Sequence, residues 1–309
     1  MEFQENISLS NYSNLKVGGP ARYFKIAKSK EELRASLELA KKQDLKVFIL
    51  GGGTNILWSD NGYHGLVLKP EIDFYEREEN DVVAGSSVLM SKLVDFSIKE
   101  GLAGLDWAGG LPGTLGGAVF GNAGCFGGEI KDSVLEVESL SLESLDFKKR
   151  DNLACEFKYR DSIFKSGDVD EIIVQVRLGL NKGKKEELLA RVMEQKQYRE
   201  EHQPLDRPNI GSFFKNVRIE GLEEELVKPH RELIKTDPFP VIPAAHLIYA
   251  SGLQGLKLGG AEVSSKHPNF LINTGDATTA DFLGLMEQVK QKVKEKFGIE
   301  LEEEVRVIE

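Results

Sequence analysis

At 309 residues, with 40% hydrophobic and 29% charged content, the chain has room for two domains and the composition of an ordinary globular protein. Its net charge of −10 excludes the basic footprint of a nucleic-acid binder, so an anionic ligand would need local cations acting against the overall field. No run approaches the roughly 18 apolar residues of a membrane span, and "MEFQENISLSNYSNL" lacks the basic-then-apolar order of a secretory signal.

In chain order, Ser29 and Glu32 form a candidate capping box before "LRASLELAKKQ", where Leu33, Leu37 and Ala40 recur at helical spacing. The apolar run "KVFIL" reads as a buried strand that empties into "GGGTN". A strand at "DVVAGSS" and a helix at "SKLVDFSIKEG" follow. Cys125 and Cys155 offer neither a disulfide scaffold nor a CxxC metal or redox motif, and read as small buried residues in a reducing cytoplasm; no metal site is expected. "EIIVQVRLGL" reads as the strand closing the first half. The charged helix in "NKGKKEELLARVMEQKQYREEH" is the natural junction, so the domains are drawn at 1–182 and 183–309. Near the C-terminus, Phe282, Met286, Val289, Val293 and Phe297 mark an amphipathic helix, opened by Thr278 or Thr279 and closed at Gly298. Short strands at "NFLIN" and "EEVRVI" flank it, completing a mixed α and β pattern.

Eleven of the 28 residues from Gly101 to Gly128 are glycine. Glycines cost chain entropy and bury nothing, so such density points to backbone that passes close to a ligand and offers bare N–H groups to phosphate oxygens. The interleaved Leu, Val, Phe and Trp107 make the segment packed and not a linker. "GGGTNI" fails the GxGxxG fingerprint at Ile56, and "LPGTLGGAV" lacks the GK[ST] of a P-loop. Two glycine loops, near residues 51 and 113, therefore suggest a pyrophosphate-bearing, dinucleotide-like ligand without a Rossmann fold.

In "NIGSFFKN", Ser212 follows a glycine and precedes two adjacent phenylalanines, of which a half-buried strand accommodates one. Local chemistry alone reads this serine as part of a turn.

Taken together, "NLKVGGPARYF", "ILGGGTNIL", "GLDWAGGLPGTLGGAVFGNAGCFGGEI", "YRDSIF", "GSFFKN" and "GIELEEEVRVI" resemble, in order from about residue 11 to the C-terminus, the UDP-N-acetylenolpyruvoylglucosamine reductase family. The resemblance implies an α+β protein: a bipartite FAD-binding domain of the vanillyl-alcohol oxidase type, followed by a C-terminal α/β substrate-binding domain. It implies an enzyme, UDP-N-acetylmuramate dehydrogenase, using FAD and NADPH to reduce an enolpyruvyl UDP-sugar in peptidoglycan synthesis, and with it cell-wall biogenesis, cell shape and division. A cytoplasmic monomer without nucleic-acid or membrane partners is expected.

The resemblance also distributes roles. Ser212 is the expected proton donor, and Arg160 and Glu304 the residues that hold the substrate carboxylate and stabilise the enol. Gly51, Gly52, Gly53, Thr54, Asn55, Pro112, Gly113, Thr114, Gly116, Gly117, Asn122 and Gly124 are expected at the cofactor. Lys215, Asn216, Lys266, His267 and Asn269 are expected at the substrate; "KHPNF" and the short interval between "YRDS" and "GSFFKN" are similar to the shorter, type II enzymes. The blander alternatives are an Arg160–Asp161 ion pair, a solvated acidic run around Glu304, and a surface His267. The family pattern "LEPEVR" has proline where Glu303 stands, so Glu302 is kept as the fallback glutamate. Tyr198, Arg199 and Gln203 are placed at the pocket edge without roles. Residues 217–243 are longer than the type II pattern and read as a lid or a surface elaboration. The competing functional readings are an FAD-linked oxidase with another substrate and an inactive relative that binds UDP-sugars.

Overall fold

The computed structural model describes residues 2–167, 169–236 and 239–309. They divide into two compact units that interleave along the chain: Met1–Ile7, Ala21–Gly52 and His64–Arg199 form the first, and Ser8–Pro20, Gly53–Tyr63 and Glu200–Glu309 the second. The chain therefore passes from the first unit to the second within "GGGTN", between Gly52 and Gly53, and again inside the helix Lys185–His202.

Two larger sheets frame the first unit. One has the order Gln4–Ser8, Pro20–Ala27, Tyr63–Pro70, Val47–Ile49, the last pair parallel; the other is antiparallel, ordered Phe147–Asp151, Val134–Ser141, Glu171–Gly179, Asp81–Gly85, Tyr75–Glu78. Glu171–Gly179, the strand expected to close the first half, thus lies at the centre of its sheet. Its register slips between Glu138 and Ser139 of the neighbouring strand, leaving Val174 as an extra residue. A one-residue slip turns the following side chains to the opposite face. Ile172 and Val174 accordingly join one core, with Leu33, Leu37 and Leu66, while Ile173, Val176 and Leu178 join another, with Val94, Trp107 and Leu115. One strand feeds two cores.

The helix Lys30–Lys42 opens with the Ser29 hydroxyl accepting Glu32 N–H at 3.1 Å, while the Glu32 carboxylate accepts Lys28 N–H in place of that of Ser29. The cap is therefore half of the expected box. In Lys185–His202, Leu188, Val192, Gln195 and Arg199 form the buried stripe; two of its four members are polar, which is why apolar periodicity in the sequence was sparse.

The second unit centres on the helix Thr279–Phe297, entered through a full capping box between Thr278 and Asp281 and left through Gly298 in the left-handed region. Thr278 is the cap; Thr279 is the first helical residue. The helix packs Phe282, Leu285, Met286, Val289 and Val293 against Ile210, Phe213, Phe214, Leu247 and Leu271. The small antiparallel sheet Lys257–Leu258, Ala261–Val263, Leu271–Asn273 and the parallel pair Arg306–Ile308 with Ile56–Trp58 complete the unit. The described residues of 217–243, all but 237 and 238, form a folded excursion: Val217–Arg218 pairs antiparallel with Val241–Ile242, and between them one helical turn, Glu224–Val227, leads into the 3-10 turn Lys228–Leu233. His230 is buried there, its ring 5.4 Å from that of His246 and 5.1 Å from that of Phe297.

Candidate active site

In the first unit, the two glycine turns singled out in the sequence meet. A Cβ added to Gly52 would lie 3.0 Å from Gly113 Cα, and one on Gly51 would lie 3.4 Å from Thr114 Oγ1. Gly113 has φ +105°, a conformation open to glycine and strained for any other residue. Thr114 caps Leu115–Phe120 by accepting Gly117 N–H at 3.3 Å. Backbone bonds from Met90 to Gly113, Leu115 to Val88 and Gly116 to Ser86 (3.0, 2.9 and 2.8 Å) lash this turn to the segment after Asp81–Gly85. Two adjoining turns of nearly bare main chain fit a diphosphate-bearing cofactor, which needs close backbone approach and few side chains in the way.

Arg160 reaches the far end of the same glycine segment. Its Nη2 donates to Gly124 O at 2.9 Å, and its own backbone, at φ +57°, is held by Lys165 Nζ on its carbonyl at 2.6 Å. Asp161 instead accepts the Ser162 N–H. Asn122 is fully buried and bridges Lys158 O and Lys131 N, so it serves the loop's shape. Arg199 was placed without a role by sequence reasoning. It is buried, donates to Gly109 O at 2.8 Å and to Cys125 Sγ at 3.1 Å, and lies over the Phe126 ring. Burial pushes the Cys125 thiol up, against the opposing pull of Arg199 and Arg160. Cys155 is buried outright, and its thiol is pushed up to about 11.

The second unit holds the remaining residues. Gly211, at φ +85°, receives an Asn209 Oδ1 contact on its N–H at 3.1 Å, so the turn expected before Ser212 is present. Beyond it the chain becomes the middle member of a three-segment seam. Ser212 pairs with Phe270 and Phe214 with Glu303 in isolated antiparallel bridges. Phe213 N–H donates to Asn269 O at 2.9 Å and Phe213 O accepts Glu304 N–H at 2.8 Å. Both phenylalanines are buried because the segment is covered on both faces, with Phe213 stacked on Phe282. Glu304 is half-buried, and its carbonyl accepts Asn55 Nδ2 at 3.0 Å, so the second half of "GGGTN" braces the C-terminal segment. Glu302 is exposed and pairs with Lys215 Nζ.

Among the expected substrate residues, Asn216 Oδ1 accepts Ala244 N–H at 3.1 Å and Lys266 Nζ donates to Glu200 O. His267 keeps its ring against Phe270, and its buried Nδ1 has no hydrogen-bond partner. Burial, reinforced by Lys235 and His202, lowers this imidazole to about 4, so it is neutral at pH 7. Gly51, Gly52, Pro112, Gly113, Thr114, Gly116, Gly117, Asn122, Gly124 and Arg160 therefore belong to the first unit. Gly53, Thr54, Asn55, Ser212, Lys215, Asn216, Lys266, His267, Asn269 and Glu304 belong to the second.

Comparison with known proteins defines the class first. The model of the FAD binding domain matches residues 21–142, and that of the UDP-N-acetylenolpyruvoylglucosamine reductase C-terminal domain matches residues 203–308. The fold is the α+β arrangement expected from the sequence, an FAD-binding domain followed by the reductase family's C-terminal domain. The chain is 39% identical to a UDP-N-acetylenolpyruvoylglucosamine reductase from Lachnoclostridium phytofermentans, over 98% of this chain and 92% of the relative. It is 37% identical to one from Clostridium novyi, over 99% and 92%. A crystal structure of the Thermus caldophilus enzyme is similar at a TM-score of 0.79 and 30% identity, with both chains covered in full. The chain belongs to the UDP-N-acetylenolpyruvoylglucosamine reductase family. Among the described residues, no helix is long and apolar enough to cross a membrane.

Proposed function

We propose that the chain reduces UDP-N-acetyl-enolpyruvoylglucosamine to UDP-N-acetylmuramate at the expense of NADPH, as a cytoplasmic, monomeric enzyme of peptidoglycan synthesis. Residues 1–182 act as the FAD-binding domain and 183–309 as the substrate-binding domain. The observation that supports the reading best is the seam in the second unit, where one peptide segment ties the Ser212 strand to Glu304 through the 2.8 Å bond at Phe213. Family membership and the paired glycine turns support the cofactor.

FAD, when bound, supplies the hydride that NADPH has delivered to it. Gly51, Gly52, Gly53, Thr54, Asn55, Pro112, Gly113, Thr114, Gly116, Gly117, Asn122 and Gly124 hold it, mainly through main chain. Hydride addition to the terminal carbon of the enolpyruvyl group leaves charge that is conjugated with the substrate carboxylate, and a cation must sit against it. Arg160 takes that role and Glu304 stabilises the enol form. Ser212 gives its hydroxyl proton to the carbon bearing the carboxylate. A serine hydroxyl is a poor match to neutral pH, so this step depends on a fixed position and on rapid reprotonation. Lys215, Asn216, Lys266 and His267 bind the UDP-sugar directly, and Asn269 through the loop it holds.

Purified protein is expected to be yellow, to bleach with NADPH under anaerobic conditions, and to regain colour with the enolpyruvyl UDP-sugar. Failure of the sugar to restore colour after bleaching sinks the assignment, and reoxidation by oxygen alone would favour an oxidase. Ser212→Ala should leave bleaching intact and slow recolouring by about 100-fold or more. Equal loss in both half-reactions would make the serine structural.

A further inference from the structure

The expected substrate residue Asn269 has nothing left to offer a substrate. It is 3% exposed, and its side-chain amide is spent on one residue: Oδ1 accepts Phe214 N–H at 3.0 Å and Nδ2 donates to Phe214 O at 2.8 Å. A carboxamide carries both a donor and an acceptor, so here it replaces the peptide of a neighbouring strand, supplying both rungs at a position where the paired backbone diverges. Its own carbonyl takes the N–H of Phe213. Three hydrogen bonds from Asn269 thus hold two consecutive residues. On the opposite edge, Phe213 O holds the N–H of Glu304. Phe214 is 1% exposed, so neither of its backbone groups has water to fall back on if the amide is removed.

We propose that Asn269 is a positioning residue for the reaction: it locks Ser212 and Glu304 into one register by clamping the two phenylalanines between them. The proposal rests on the reading that Ser212 and Glu304 act on the substrate. Asparagine suits this task and its nearest relatives do not. Aspartate would keep the acceptor for Phe214 N–H but set a carboxylate oxygen against Phe214 O, and leucine would leave both groups unpaired. A loosened clamp lets the Ser212 strand shift relative to Glu304, and misplacement of a reacting group by about 1 Å costs roughly 100-fold in rate. It removes no group that touches substrate, so the loss falls mainly on the maximal rate, with a smaller change in affinity through Lys215 and Asn216 on the same segment.

The test uses full-length, flavin-loaded Asn269→Asp. Flavin content and bleaching by NADPH should match wild type. Recolouring at saturating enolpyruvyl UDP-sugar should fall about 100-fold, with the half-saturating concentration raised by no more than about threefold. Amide hydrogen exchange should rise together in residues 211–216 and 302–306. A tenfold rise in half-saturating concentration at an unchanged maximal rate would make Asn269 a substrate ligand and overturn the proposal. So would faster exchange in 211–216 with 302–306 unaffected. If the variant does not fold, the wild-type protein still decides: the side-chain amide protons of Asn269 should exchange slowly by NMR, and exchange at the rate of an exposed asparagine would refute the clamp. Wild-type recolouring by Ser212→Ala would defeat the functional reading alone, because the exchange measurements report on the clamp independently.

Discussion

The two units are built by opposite strategies. Around Gly51–Gly52 and Gly113–Thr114, the first unit clears side chains away so that main-chain turns can approach each other. Along 212–214 and at Glu304, the second unit spends side chains to brace main chain, with Asn269 tied to both backbone groups of Phe214 and Asn55 to the Glu304 carbonyl. A site of the first kind is damaged by adding an atom; one of the second kind is damaged by removing a polar atom. The contrast predicts which substitutions hurt and which half of the reaction suffers.

The largest effect should come from adding bulk to the first unit. A Cβ on Gly116 would lie 2.8 Å from Ser86 Cβ and 3.0 Å from Ser86 O. Gly116→Val should therefore cost about 3 kcal/mol and lower flavin retention, read by denaturant melts and absorbance. A valine variant that keeps both stability and flavin would break the contrast.

Acid should act on the second unit. His267 is held at about 4 by burial, against an ordinary value of 6.5, and burial, with His246 beside it, also lowers His230. The fold tolerates the neutral rings, and the unfolded chain protonates first. Stability present above about pH 6.5 should thus fall as pH drops toward 4, by up to about 3 kcal/mol for His267 alone. Hydrogen exchange against pH should show the 264–270 loop and the 228–233 turn loosening before the sheet of Glu171–Gly179. His267→Phe should flatten part of the slope.

Arg199 is the first unit's exception, a side-chain brace among glycine turns. Arg199→Met keeps the stem and loses the bonds to Gly109 O and Cys125 Sγ; about 2 kcal/mol of stability should go. The Cys125 thiol should also react more slowly with an alkylating reagent at a given pH, because the cation that favours its thiolate has gone while the stem still covers it. Smallest of all, Lys184→Ala removes an ion pair whose side chains are 78% and 66% exposed, and the melting temperature should not move measurably.

Much of the first unit was legible because its signals are local. Glycine density needs no partner to be noticed; in the second unit, the helix Thr279–Phe297 was as plain, through a five-residue apolar stripe and both caps. The Gly51–Gly52 and Gly113 turns were singled out by their chemistry, and the fold brings them together within the first unit. The seam in the second unit was illegible by spacing. Phe213 and Phe214 break alternation because their segment is walled by residues 269–270 on one side and 303–304 on the other, some 55 and 90 positions away. Asn269 was expected at the substrate, a role the resemblance carried; its amide turned out to be committed to Phe214. Arg199 hid inside a charged helix, since nothing in "QKQYREEH" distinguishes a buried arginine from its solvated neighbours. The excursion at 217–243 gave no sign that it would bury a histidine against His246 and Phe297.

By itself, the sequence determined where backbone had to be bare, where helices begin and end, and which family supplies the chemistry. Those are properties of neighbouring residues, set by covalent geometry and short-range hydrogen bonding. Only the tertiary structure decided which buried polar groups are free and which are committed, because each N–H or carbonyl takes its partner from whatever segment the fold brings alongside. That is why Ser212 could be nominated from a motif, while the residue holding it in place emerged only when Asn269 was found against Phe214.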